Sequence, residues 1–138
     1  MIVETQTEII GALETIDSVS TVISGIGDFE ELIKKSYRLP ALLVIYNGAR
    51  FQPAGLIGST RAQHVMSFTV LSVIRNSRSV SDGAADSFSL IEKTREKLIG
   101  LVTLSGRLWP VSENLILADA GLYVYGLEYT IKAETTGV

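Results

Sequence analysis

The chain has no cysteine and only one histidine among its 138 residues. Disulfides and thiolate chemistry are therefore excluded, which is compatible with assembly in a reducing cytoplasm. A metal site in such a chain would need oxygen ligands alone. The two acidic clusters, Glu30-Glu31 and Asp82 with Asp86, sit where helices are predicted to begin, and the helix dipole explains acids there. The sequence thus predicts no metal and no cofactor.

Catalytic motifs are also missing. His64 stands at the start of a predicted strand, with no acid within seventeen residues on either side. The chain has no G-x-S-x-G nucleophile elbow and no Walker A lysine motif. Gly25-Ile26-Gly27 lacks the third glycine of a dinucleotide fingerprint. From these absences we predict that the protein is not an enzyme.

Long apolar runs are absent too, since no stretch approaches the roughly 18 residues that cross a bilayer. The N-terminal residues MIVETQTEII carry acids where a signal peptide carries lysine or arginine. We expect a soluble, unexported chain with no membrane partner. The net charge of −3 is too small to indicate any other partner.

Acidic residues are missing from one long stretch, Leu32 to Ser81. One interpretation is scattered, solvated charge. The other is a basic surface that faces an acidic surface of another subunit or a passing polyanion. The stretch contains seven basic residues: Lys34, Lys35, Arg38, Arg50, Arg61, Arg75 and Arg78.

The stretch from Gln63 to Arg75 is rich in β-branched and apolar residues and has no glycine or proline, so we predict the central strand of a sheet there. Alternation places Met66, Phe68 and Val70 on one face and Leu71 and Val73 on the other. Because both faces are partly apolar, we expect both to be covered.

Periodicity and turn residues predict the other elements. The fold class is α+β, a mixed and mostly antiparallel sheet with two or three helices on one face. Residues 1–138 form one predicted domain, with a long loop over 48–60 and a mobile C-terminal tail over 133–138. The predicted elements are helices Thr5–Ile16, a short one from Asp28, and Ala84–Leu101, and strands Val19–Ile23, Leu42–Tyr46, Val111–Leu117 and Leu122–Ile131.

Three segments, taken in order and spacing, resemble a known family. They are DFEE (28–31) with RLPALLV (38–44), YNGARF (46–51) leading to FTV (68–70), and SENL (112–115) with VYGLEY (124–129). Together they are similar to the Mu-type Gp37-like family of phage tail proteins, which includes the tail terminator. The resemblance covers nearly the whole chain.

The resemblance implies a virion structural protein without catalytic residues. Such a subunit forms a ring, usually a hexamer, at the head-proximal end of the tail. The ring ends growth of the tube, and of the sheath in contractile tails, and docks the tail to the neck. The implied partners are other copies of the chain, the tube, sheath and neck or head-completion proteins, and DNA only as passing cargo. Assembly would take place in the host cytoplasm.

Two sets of candidate site residues follow from the residues and the resemblance. A basic segment such as Arg50 to Arg78 would line the DNA channel or, equally well, meet an acidic neighbour. Two alternatives stay open: another neck or tail-completion component, or a small ligand-binding α+β domain with an oxygen-only site. The candidate subunit or tube interface is Arg50, Phe51, Leu56, Ile57 and Arg61, and the candidate basic surface is Lys34, Lys35, Arg38, Arg75 and Arg78.

Overall fold

The computed structural model describes residues 1–25, 38–53, 58–76 and 78–137. Within these residues, neither helix is long and apolar enough to cross a membrane. The helices are α1 (Ile2–Leu13) and α2 (Val80–Leu98), and the strands are β1 (Thr21–Gly25), β2 (Ala41–Phe51), β3 (Arg61–Arg75), β4 (Val102–Thr103), β5 (Gly106–Asp119) and β6 (Leu122–Thr136).

The six strands form one sheet in the order β1-β2-β3-β6-β5-β4. Among the strands of the described residues, β1 and β2 pair in parallel and the other pairs are antiparallel. The strand β3 lies inside the sheet and pairs with β6 along its whole length. The predicted central strand and the mixed, mostly antiparallel α+β architecture are therefore confirmed.

Both described helices pack on one face of the sheet, which we call the helix side. Phe68 and Leu127 are buried there at the centre of the sheet, beneath Leu13 of α1 and Leu98 of α2. The α2 helix begins at Ser79, whose side chain accepts a hydrogen bond from the backbone N–H of Asp82. This arrangement confirms the prediction of helices on one face.

A second, smaller apolar cluster lies on the opposite face. Leu43, Leu71 and Val124 are almost fully buried in it, and they come from β2, β3 and β6. The cluster sits at the end of the sheet where β2 begins and β3 ends. Its position explains why β3 carries apolar residues on both faces.

Two predicted segments are corrected by the strand pairing. The predicted loop over 48–60 begins later, because β2 continues through Phe51. A bulge between Tyr46 and Gly48 absorbs one residue, and Gly48 takes the positive φ of +115° that lets the strand go on. The predicted mobile tail is wrong for residues 133–136, which continue β6 and pair with the start of β3. The predicted helix from Asp28 lies outside the described residues.

Gly83 of α2 lies directly against the ring of Tyr123 in β6. A Cβ atom at Gly83 would be 2.3 Å from Cε2 of Tyr123, so the helix or the ring would have to move. We expect Gly83→Ala to lower the free energy of unfolding by about 1–3 kcal/mol in a urea titration. This loss should occur even though alanine favours a helix over glycine by about 1 kcal/mol.

Gly11→Ala is the matched control, because a Cβ at this position in α1 would meet nothing within 4 Å. We expect this variant to be more stable than the parent protein by roughly 0.5–1 kcal/mol. Equal stabilisation by both substitutions would show that α2 does not need its close approach to the sheet.

Candidate functional site

Three of the five predicted interface residues lie together at one end of the sheet. Arg50 and Phe51 end β2, and Arg61 begins β3. We call this region the hairpin end. The Phe51 side chain is 59% exposed, and its ring packs at 4.8 Å from the ring of His64. The other two residues of the predicted set, Leu56 and Ile57, are outside the described part of the chain.

The predicted basic surface lies at the opposite end of the sheet. Arg38 precedes β2, Arg75 ends β3 and Arg78 follows it, and all three are exposed. Because β3 rises about 3.3 Å per residue, Arg61 and Arg75 are roughly 45 Å apart. The segment from Arg50 to Arg78 is therefore not one basic surface. Lys34 and Lys35 are not among the described residues.

An acidic residue, Asp86, accompanies the arginines at this opposite end of the sheet, which we call the far end. A groove of about 380 Å³ is lined by Arg75, Lys93 and Asp86. Asp86 accepts a hydrogen bond of 2.7 Å from the side-chain amide of Asn76. The far end therefore presents mixed charge and not a uniform positive field.

An apolar groove opens on the helix side of the hairpin end. Its volume is about 630 Å³, and its lining includes Met1, Val3, Phe51 and Leu104. Each of these four side chains is more than half exposed. Exposed apolar side chains gathered at one place are typical of a protein contact surface. Sequence analysis identified Phe51 but missed the others, because α1 and the β4–β5 turn reach this end only in the folded chain.

The rest of the sheet face away from the helices is partly exposed, and we call it the open face. Glu128 of β6 lies at its middle, half-buried, between Ser67 of β3 and Ser112 of β5. The Ser67 hydroxyl donates a 2.9 Å hydrogen bond to one carboxylate oxygen, and the Ser112 hydroxyl donates a 3.3 Å bond to the other. Trp109 of β5 pairs with Thr130 on this face and is 59% exposed.

An ion pair fastens α2 to β5 on the helix side. Arg95 donates two hydrogen bonds to the Glu113 carboxylate, and the Nε–Oε2 distance is 2.8 Å. The hydrogen bond and the charge of Glu113 raise the pKa of Arg95.

Tyr129 lies nearby on β6. Its burial, and to a smaller extent the charge of Glu113, raise the pKa of its hydroxyl to about 12. The Tyr129 hydroxyl is buried and has no hydrogen-bond partner in the described structure.

The described residues contain no group of three or more histidine, cysteine or acidic side chains placed to hold a metal ion. His64 is buried against Phe51 near the start of β3. What these residues offer is contact surface, in the form of exposed apolar side chains, two separated sets of arginines and a fixed carboxylate.

Comparison with known families is decisive for identity. The model of the family described as phage tail terminator protein matches residues 3–136. The chain belongs to the phage tail terminator family. This membership confirms the resemblance found in the sequence and the prediction of a structural protein that is not an enzyme. No curated protein matches the chain.

The fold of this chain also occurs in a solved assembly. A chain in the structure titled "Virion of native gene transfer agent (GTA) particle" has a TM-score of 0.64 and 12% sequence identity, with 97% of each chain covered. At that identity the likeness shows the fold alone. Family membership makes this chain a structural component of a phage-type virion, in contact with other virion proteins.

Proposed function

We propose that the protein forms a hexameric ring at the head-proximal end of a phage tail tube. The ring ends polymerisation of the tube, and of the sheath where the tail contracts. It also joins the tail to the neck or head-completion protein. The family match over residues 3–136 is the observation that carries this proposal.

The distribution of surface groups supports a subunit with several different contacts. A ring requires a heterologous interface, in which one patch of each copy meets a different patch of the next. The hairpin end, the open face and the far end with Arg38 and Arg75 are three distinct surfaces on one sheet. We assign the hairpin end to a neighbouring copy or to the tube.

The far end is then directed to the neck or to the DNA that passes through the ring. Its arginines contact the DNA backbone without reading sequence, or meet an acidic neighbour. The Asp86 carboxylate among them favours the protein neighbour over continuous DNA contact, because it repels phosphate. The ring assembles in the host cytoplasm and remains in the virion.

The test is the mass of the purified protein, by light scattering, alone and with preassembled tail tubes. We expect a species near six times the chain mass of 14.9 kDa, or co-sedimentation with the tubes. A protein that stays monomeric in both conditions would contradict the proposal. Ligand-dependent melting of such a monomer would instead support the small ligand-binding domain.

A further inference from the structure

Glu128 is held as a rigid carboxylate at the middle of the open face. Ser67 and Ser112, from the strands on either side, each donate a hydrogen bond to a different oxygen of its side chain. Two donors on separate strands fix the plane of the carboxylate. A surface glutamate that served only solubility would not need this support.

No cation neutralises this carboxylate within the described residues. The ion pairs found there join Met1 to Glu4, Arg61 to Glu134 and Arg95 to Glu113. Lys132 is on the same strand and the same face, but four residues along β6 place it about 13 Å away. The negative charge is thus positioned and half-buried without a countercharge in this part of the chain.

Apolar side chains border the carboxylate on the open face. Trp109 is 59% exposed, and Ile116, which lies over Gly126, is 42% exposed. An exposed tryptophan beside a fixed charged group is the composition of an interface hot spot. Arginine suits such a place, because its planar guanidinium pairs with both carboxylate oxygens and stacks on an indole ring.

We propose that a seat formed by Glu128, Ser67, Ser112 and Trp109 binds an arginine from the hairpin end of a neighbouring copy. This inference rests on the proposed ring. A second copy is the occupant because the chain itself supplies the complementary charge, on Arg50 and Arg61. Both arginines are exposed at the hairpin end. Arg50 is the register partner of Val65, two residues before Ser67, and Arg61 lies six residues before Ser67 with its Nε 3.8 Å from the Glu134 carboxylate. Two different surfaces, one on each copy, give the heterologous contact that ring closure needs.

The experiment measures ring assembly by sedimentation velocity for charge-reversed variants. We expect Glu128→Arg to abolish the ring. Combining it with Arg50→Glu or with Arg61→Glu should restore assembly in one of the two double variants. Failure of both double variants, or a normal ring from Glu128→Arg alone, would overturn the assignment.

Glu128→Gln covers the case in which the arginine variant does not fold. Its amide oxygen still accepts a hydrogen bond from one serine, while the charge is lost. We expect the concentration needed for half-assembly to rise about tenfold or more, as for other buried interfacial charges. An unchanged concentration would overturn the assignment.

Glu96→Arg is the matched control, an equal change of net charge on the exposed surface of α2. We expect it to leave the ring intact. A loss of assembly equal to that of Glu128→Arg would overturn the seat in favour of a general charge effect.

The proposed ring and the proposed seat can be contradicted separately. If the unmodified protein forms no ring either alone or on preassembled tubes, the proposed function fails together with the seat. If it forms a ring that Glu128→Arg does not disturb, only the seat fails.

Discussion

Replacing Phe68 with alanine is expected to lower the free energy of unfolding by about 3–5 kcal/mol. Phe68 is fully buried on β3, with Tyr46 of β2 at a ring distance of 5.2 Å and Tyr129 of β6 as its register partner. Alanine would leave a cavity where three strands meet beneath the helices. The loss is a large share of the roughly 5–15 kcal/mol by which a typical domain is stable. Urea unfolding followed by circular dichroism measures it.

Phe51→Ala is the matched control for this prediction. Phe51 is in the same sheet but is 59% exposed, so its truncation removes little buried area. We expect a loss of less than about 1 kcal/mol when the protein is kept dilute. Similar losses for Phe51 and Phe68 would show that the core is not where the structure places it.

Raising the pH from about 10 to about 12 is expected to destabilise the fold through Tyr129. Burial raises the pKa of this tyrosine to about 12 from its ordinary value of 10. Below pH 10 both the folded and the unfolded states keep the phenol proton. Between pH 10 and 12 the unfolded state releases it while the folded state retains it, so stability falls. A shift of this size corresponds to a loss of roughly 2–3 kcal/mol.

Tyr129→Phe should remove this part of the alkaline loss. At pH 7 the same substitution is expected to leave the protein as stable as before, or more stable by about 1 kcal/mol, because the buried hydroxyl has no partner. Denaturant titrations at pH 7, 10 and 11.5 test both statements. An identical alkaline loss in the phenylalanine variant would contradict the assignment to Tyr129.

Local pattern was sufficient to predict the central strand and the presence of α2, but not the face that α2 buries. Helical spacing groups Phe88 with Ile91 and Leu98 on one apolar stripe, whereas Phe88 is 51% exposed and its ring lies edge-on to that of Tyr125, with 6.3 Å between the ring centroids. The buried stripe instead includes Gly83 and Ser87. Small residues on the buried stripe let the helix approach Tyr123 closely. Their positions are set by the packing of α2 against the sheet, which helical periodicity does not predict.

The other predictions depended on contacts between residues far apart in sequence, which local patterns do not show. Ala133 to Thr136 resemble an unanchored tail until the start of β3 gives their backbone groups partners. The hairpin end was predictable because Arg50, Phe51 and Arg61 are close in sequence. The seat around Glu128 was not, since Ser67 precedes that glutamate by 61 positions.

Electron microscopy of tails assembled with and without this protein tests whether it ends tube growth and joins the tail to the head. We expect overlong tubes, or tails that never join heads, when the protein is missing, and tails of uniform length joined to heads when it is supplied. Tails of normal length that join heads in its absence would exclude this role.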